Sequence, residues 1–287
     1  RWTDARTGGS NCADHAARGL RIVTAAMPYS RSVSVNFLVG AGSRYEAPEI
    51  AGMSHFVEHL CFKGTPRRPT SKEISEAIEG VGGVLNGGTD RELTVYWAKV
   101  AKPNFDLAVD VLADMLRNSK FEAGDVEKER QVVLDEINTI LDSPQQRADL
   151  LIDEVMWPGQ ALGRDVAGTR ETVASLTREA ALDYMGKQYV PNNTVVSVAG
   201  DVDHGAVVET MAQAFGDWPS GPPGDWIPAQ DEQEAPRSQI EVRKTEQAYI
   251  NLAARGYPIG HPDRFALDLL SVALGEGMSS RLFLEVR

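Results

Sequence analysis

Short runs of the chain alternate apolar and polar residues with a period of two, and longer runs repeat near 3.6, so strands and helices can be told apart before any chemistry is considered. Leu20 to Thr24 and Ser32 to Val39 alternate around Pro28 and Ser30, which predicts two strands joined by a turn. A helix follows around Phe56, Leu60 and Cys61. Thr70, with Glu73 three residues on, reads as the N-cap of a second helix that ends near Gly80 to Gly83. Two strands, Gly83 to Thr89 and Leu93 to Lys102, precede helices at Phe105 to Asn118 and Gly124 to Asp142, and another at Gln145 to Met156 after Pro144. A Gly-rich loop leads to a helix at Arg178 to Gln188, a strand at Thr194 to Ala199 and a helix at Ala206 to Phe215. Strands and helices segregate rather than alternate strictly, which predicts an α+β domain over residues 1–218 with a mostly antiparallel sheet flanked by helices.

The pattern breaks between Trp218 and Pro236, which is rich in Pro, Gly and acidic residues and has no periodicity; residues 219–236 read as an interdomain linker. Beyond it, Ile240 to Val242 and Ala248 to Ala254 are predicted strands and Asp263 to Leu274 an amphipathic helix. That order echoes the opening of the first domain, so residues 237–287 are expected to begin a second copy of the fold. Ser279 to Arg287 is helix-like with no stop signal, and the second copy reads as incomplete.

Composition narrows the function without choosing it. The 287 residues carry a formal net charge of −12, which argues against nucleic acid and anionic membranes as partners and permits attraction of basic peptides. No run of about twenty apolar residues suggests a membrane helix, and the start lacks a signal-peptide profile. The expected location is cytoplasmic, with a removed leader left open because the sequence begins at Arg1. Two cysteines, Cys12 and Cys61, are too few for a disulfide framework; Cys61 lies about 200° round the helix from His59 and reads as a packing residue.

The chemistry is concentrated in His55-Phe56-Val57-Glu58-His59. Residues three and four apart share a helix face, so both imidazoles can reach one metal ion with Glu58 beside them as a base. The order is H-x-x-E-H, inverted relative to H-E-x-x-H. A third ligand is offered by the helix at Gly124 to Asp142. Val132, Val133, Ile137, Ile140 and Leu141 define an apolar stripe that includes Glu136, with Glu129 two turns earlier. A carboxylate in such a stripe either binds a metal or pairs with an Arg or Lys, and the stripe alone leaves both open. Three protein ligands would leave a fourth position for water, the pattern of a catalytic zinc site.

With the segment Glu129-Arg130-Gln131-Val132-Val133-Leu134-Asp135-Glu136 following H-x-x-E-H some seventy-odd residues on, the chain resembles the M16 metallopeptidases, the pitrilysin and mitochondrial-processing-peptidase group. Val39 to Arg44, Gly64-Thr65 and Tyr189 to Asn193 look similar too. The resemblance implies a zinc endopeptidase holding one Zn2+ per chain through His55, His59 and Glu136, with Glu58 as general base and Glu129 as a catalytic-site acid outside the ligand set. It further implies that Asn86, Gly87, Gly88 and Thr89 form an edge strand to which a peptide adds. The family's Asn-Ala-aromatic-Thr pattern is here Asn-Gly-Gly-Thr, which fits a roomier cleft or a bulge. Short, unstructured peptides are the implied substrates, and a second M16-like chain, as homodimer or heterodimer, the implied partner. The rival from another class is a non-catalytic subunit; such relatives usually lack one of the five acidic and imidazole positions, all of which are present here. A zinc hydrolase acting on a non-peptide amide is the third reading.

Overall fold

A computed structural model of the chain describes residues 11–15 and 17–286. In chain order the elements are β1 (Asn11–His15), β2 (Arg21–Ala26), β3 (Ser32–Val39), α1 (Met53–Cys61), α2 (Ser71–Glu79), β4 (Val84–Thr89), β5 (Thr94–Ala101), α3 (Phe105–Asn118) and α4 (Ala123–Asp142). They continue with α5 (Pro144–Met156), α6 (Arg170–Ser175), α7 (Arg178–Gln188), β6 (Thr194–Gly200), α8 (His204–Phe215), α9 (Arg264–Gly275) and α10 (Arg281–Val286). The strands form one sheet in the order β1-β2-β6-β3-β5-β4. β6 lies parallel to β2, and the other four pairings are antiparallel, as the segregated pattern predicts.

The period-two signal is realised as burial. Val33, Val35, Phe37 and Val39 on β3 are fully buried while their neighbours are half-exposed, and β5 and β6 alternate in the same way. The helices supply the facing wall: α3 buries Ala108, Val109, Val111, Leu112, Met115 and Leu116, and Phe215 of α8 meets Phe37 at a ring separation of 5.1 Å. Each fully buried large apolar side chain contributes about 1.5–3 kcal/mol. Helix starts follow local chemistry. Thr70 and Glu73 form the expected capping box, whereas the box of Thr169 and Thr172 that starts α6 was not foreseen because its third residue is Thr rather than Glu or Gln.

The chain forms two compact units, the first ending at Tyr249 and the second covering Ile250–Arg287. Residues 219–236 contain no helix or strand, yet they are not a free linker. Asn192 exchanges two hydrogen bonds with the backbone of Gly221, Gln160 exchanges two with Gln230, and Arg44 donates to the Ile227 carbonyl while stacking 3.8 Å from the Trp226 ring centroid. The segment is a strap pinned at three points to the first unit.

Two expectations fail. Ile240 to Val242 and Ala248 to Ala254 are not strands; Ile240, Val242, Ile250 and Leu252 are 86, 90, 87 and 97 % exposed. A β-branched run becomes a strand only when a neighbour pairs its backbone and covers one face, and no ladder reaches these residues. In the other direction, β1 was missed, because Asn11-Cys12-Ala13-Asp14-His15 lacks β-branched residues and is recruited by its register with β2. Among the described residues no helix is long and apolar enough to cross a membrane.

Candidate metal and catalytic site

The helix carrying the two histidines is held at both its start and its face. Glu46, fully buried, accepts from the Gly52 amide at 2.8 Å and the Ser54 amide at 2.7 Å, so a carboxylate satisfies two orphan donors at the positive end of α1. Burial raises the Glu46 pKa against these bonds. Gly52 adopts a left-handed φ of 95°, and a Cβ there would stand 2.5 Å from the Ala167 carbonyl oxygen. That close approach seats residues 165–168 beside the helix start. Met53, Phe56, Val57, Leu60 and Cys61 are fully buried and fix the helix phase, leaving His55, Glu58 and His59 on one open face. Cys61 is the packing residue expected of it, its thiol pushed up to about 12 by burial.

His55 Nε2 and His59 Nε2 lie 3.1 Å apart, with the rings inclined at 77°. From α4, Glu136 Oε2 stands 3.7 Å from each. Ligand atoms about 2.0–2.1 Å from a tetrahedral zinc are separated by about 3.3 Å, so these distances bracket what one ion requires. Among the described residues Glu136 pairs with the imidazoles and with no Lys or Arg. Glu58 is also close, since one ligand atom from each of His55, Glu58 and His59 falls within 4.8 Å of the others. The donor set of two imidazole nitrogens and a carboxylate oxygen fits zinc. Burial, then His59, lowers the His55 pKa to about 4, keeping it in the neutral form that a metal ligand needs. One feature fits less well: His55 Nδ1 is buried without a hydrogen-bond partner, where a ligating histidine usually donates its second N–H.

The stripe on α4 differs from expectation. Val126, Glu129, Val133 and Ile137 are buried, whereas Val132 is 41 % exposed and the Glu136 side chain 43 %. The helix packs along one narrow stripe, and at about 100° per residue Val132 and Glu136 fall at or beyond its edge. The buried acid is therefore Glu129. Its Oε2 lies 3.2 Å from His59 Nδ1 and its Oε1 2.7 Å from Lys63 Nζ. Burial raises the Glu129 pKa, but the bonds to His59 and Lys63 outweigh it and hold the carboxyl below its ordinary range. Glu129 thus acts from behind: an Nδ1–H donated to it leaves the His59 Nε2 lone pair for a metal. Burial pulls His59 down, and its acidic neighbours, led by Glu129, push it up by more. Lys63 was missed, although it follows His59 by one helical turn.

Glu58 accepts from Thr89 Oγ1 at 3.3 Å. Burial raises its pKa, opposed by His59 and the Thr89 hydrogen bond. Thr89, expected to touch substrate, thus holds the Glu58 carboxylate. β4 is an edge strand paired only with β5. Asn86, Gly87, Gly88 and Thr89 oppose Trp97, Tyr96, Val95 and Thr94 in regular register, so there is no bulge. A Cβ at Gly87 would lie 3.0 Å from the Phe62 ring and 3.1 Å from Glu58 Oε1, while Gly88 faces open space. One glycine lets Glu58 approach the strand; the other leaves room. A cavity of about 380 Å³ opens on this face, lined in part by His55, Thr89, Glu136, Ile140, Gln146 and Asp165. A larger groove of about 480 Å³ beside α3 and α8 holds none of these residues.

Comparison with known proteins agrees with the geometry. The family model described as Insulinase (Peptidase family M16) matches residues 21–170, and that described as Peptidase M16 inactive domain matches residues 175–287. The second match begins ahead of β6, a strand that lies inside the first unit's sheet. The chain is 40 % identical over 275 residues to an uncharacterized zinc protease of Streptomyces coelicolor, covering 94 % of this chain and 60 % of the relative. To an uncharacterized zinc protease of Bacillus subtilis it is 36 % identical over 273 residues, covering 94 % and 65 %. The chain therefore spans less than two thirds of the length of these curated relatives. A protease from Helicobacter pylori shares the fold with a TM-score of 0.81 at 24 % identity, over 97 % of this chain and 68 % of that one. With the M16 model matched over more than half of the 287 residues, across the elements that bring His55, Glu58, His59 and Glu136 together, the chain belongs to peptidase family M16.

Proposed function

We propose that the protein is a zinc-dependent endopeptidase acting on short or unstructured peptides. The observation that carries this is the convergence of His55 Nε2, His59 Nε2 and Glu136 Oε2 within 3.1–3.7 Å of one another, with Glu58 on the same face. His55, His59 and Glu136 would hold one zinc ion. Zinc bound there supplies Lewis acidity toward a peptide carbonyl and lowers the pKa of water. Glu58, held by Thr89, accepts the proton of the attacking water and passes it to the leaving amine. Glu129 and Lys63 keep His59 in the ligating tautomer. The free edge of β4 can bind an extended peptide as one more strand, which restricts substrates to chains that are not already folded. A facing wall over this site would come from the rest of the protein or from a second M16-like chain, as homodimer or heterodimer.

The test is metal analysis of the full-length protein together with digestion of an unstructured peptide library. One zinc per chain and cleavage abolished by a chelator are expected. A zinc-free protein that cuts peptides, or a zinc-loaded one that cuts none, overturns the reading, and the latter outcome favours a non-catalytic subunit.

A further inference from the structure

We propose that Arg44 and Trp226 are positioning residues for peptide binding: through them the strap holds the turn that ends β4, and so fixes the free edge that receives the substrate. The inference rests on the reading of the site as a peptidase. β4 pairs only with β5, and an edge strand with one partner frays at its ends unless something holds the turn. β4 ends at Thr89, and residues 90–93 lead into β5. Asp90 and Glu92 of that turn are exposed, so polar ties rather than apolar burial must anchor them.

The ties come from residues 41–46. The Arg44 amide donates to the Arg91 carbonyl at 2.9 Å, the Arg44 guanidinium pairs with Glu92, and Thr94 Oγ1 donates to the Ala41 carbonyl at 3.1 Å. Gly42 approaches so closely that a Cβ there would stand 2.4 Å from the Asp90 carbonyl oxygen. Two residues after Arg44, Glu46 caps the start of α1, so one short loop aligns the end of β4 with the helix that carries His55, Glu58 and His59. Thr94 Oγ1 also lies 3.4 Å from Thr89 Oγ1, which holds Glu58. The strap grips this loop at Arg44. The Ile227 amide donates to the Arg44 carbonyl at 2.7 Å, Arg44 Nη2 donates to the Ile227 carbonyl at 3.1 Å, and the guanidinium stacks on Trp226. With its side chain only 7 % exposed and oriented by three groups, Arg44 offers Glu92 a fixed partner. The hydrogen bonds at Gly221 and Gln230, on either side of Trp226 and Ile227, make the strap a firm support.

Trp226 is the place to test this, because its side chain is 47 % exposed and its loss removes the stack without opening the core. Full-length protein carrying Glu58→Gln is compared with and without Trp226→Ala by amide hydrogen exchange, by fluorescence anisotropy with a labelled unstructured peptide, and by zinc content. Exchange of the amides that join β4 to β5 should rise about fivefold and peptide affinity should fall about fivefold, the size expected of one lost cation–π contact. Exchange in β2, β3 and β6 and zinc content should not change. Trp226→Phe, which keeps a ring under the guanidinium, should restore most of both effects. Unchanged β4 exchange in Trp226→Ala overturns the proposal, as does faster exchange with undiminished peptide affinity. Loosening of the whole sheet, or a Phe variant no better than Ala, overturns it as well. Protein retaining Glu58 and Trp226 that binds peptide without cutting it fails the catalytic reading alone; one that cuts peptide while Trp226→Ala changes nothing fails the positioning role alone.

Discussion

Two clusters of charged side chains in the first unit, one where α1 meets α4 and one where the 64–70 loop meets α3, are built on opposite plans. In the second, Arg67 grips Asp110 at 2.6 and 2.9 Å, while Arg68 reaches Asp110 at 2.5 Å and Asp114 at 2.7 Å. Asp114, with no exposed side-chain surface, is completed by Thr65 at 2.7 Å and Asn118 at 2.9 Å. Two acids meet two arginines, and the charge closes on itself. Around α1 the acids Glu58, Glu129 and Glu136 meet Lys63 and two imidazoles, one of them held neutral. That cluster is short of positive charge. A closed cluster holds structure together, whereas an open one is a place where something cationic can bind.

The contrast can be broken most sharply at Glu58. Glu58→Gln keeps shape and hydrogen bonding but cannot take up a proton, so turnover of an unstructured peptide should fall by about 10²–10⁴-fold while zinc content is unchanged. Near-normal rates would move the base elsewhere. Next in size is the closed cluster. Asp114→Asn leaves Arg68 partly unpaired and should lower unfolding free energy by about 3 kcal/mol, measured by urea titration, with no change in bound zinc. Although burial raises the Asp114 pKa, hydrogen bonds from Thr65, Asn118 and Arg68 outweigh it and depress the value below 3.8. The ionised form is thus favoured by folding; its stabilisation is present above the ordinary aspartate range and lost as pH falls through the depressed value. The difference between wild type and Asn variant should therefore shrink as unfolding is measured at progressively lower pH.

Glu129→Gln probes the boundary between the two plans, because Glu129 is buried like Asp114 but serves the open cluster. It should weaken zinc affinity by about 10–100-fold, read by competition with a chelator, with only a modest change in stability. A large stability loss with unchanged zinc affinity would assign Glu129 to the structural class. The smallest effect is expected at Arg67, whose side chain is 58 % exposed: Arg67→Ala should cost about 0.5 kcal/mol or less, since solvent screens the pair and Arg68 still holds Asp110.

The open cluster was the more legible of the two from sequence. His55, Glu58 and His59 announce themselves through helical spacing, and Glu136 and Glu129 through their shared phase on one helix. What could not be read was which of those two acids is buried, because phase fixes the angle between side chains but not which partner helix covers them. Lys63 and Thr89, which tune the site, were missed as such because each acts across a tertiary contact on a group that sequence spacing does not relate to it; Glu46 was missed because it caps amides six and eight residues on, beyond the three-residue spacing of a capping box. Strands with strict alternation, such as Ser32–Val39, were placed correctly because burial on one face suffices to define them. Ile240 to Val242 failed because apolar, β-branched character states a capacity for pairing, and pairing needs a neighbour.

The position of β6 bears on how the molecule comes into being. β2 and β3 are neighbours along the chain, yet the sheet separates them and inserts β6, drawn from residues 194–200, between them. Such pairing over long sequence separation makes for high contact order and slow closure. On a ribosome, β2 and β3 would be exposed with their facing edges unpaired until β6 and the residues behind it had emerged. In that interval the nascent chain presents apolar strand edges to whatever is nearby, so the same arrangement that gives the finished sheet a buried centre makes its assembly dependent on protection from aggregation.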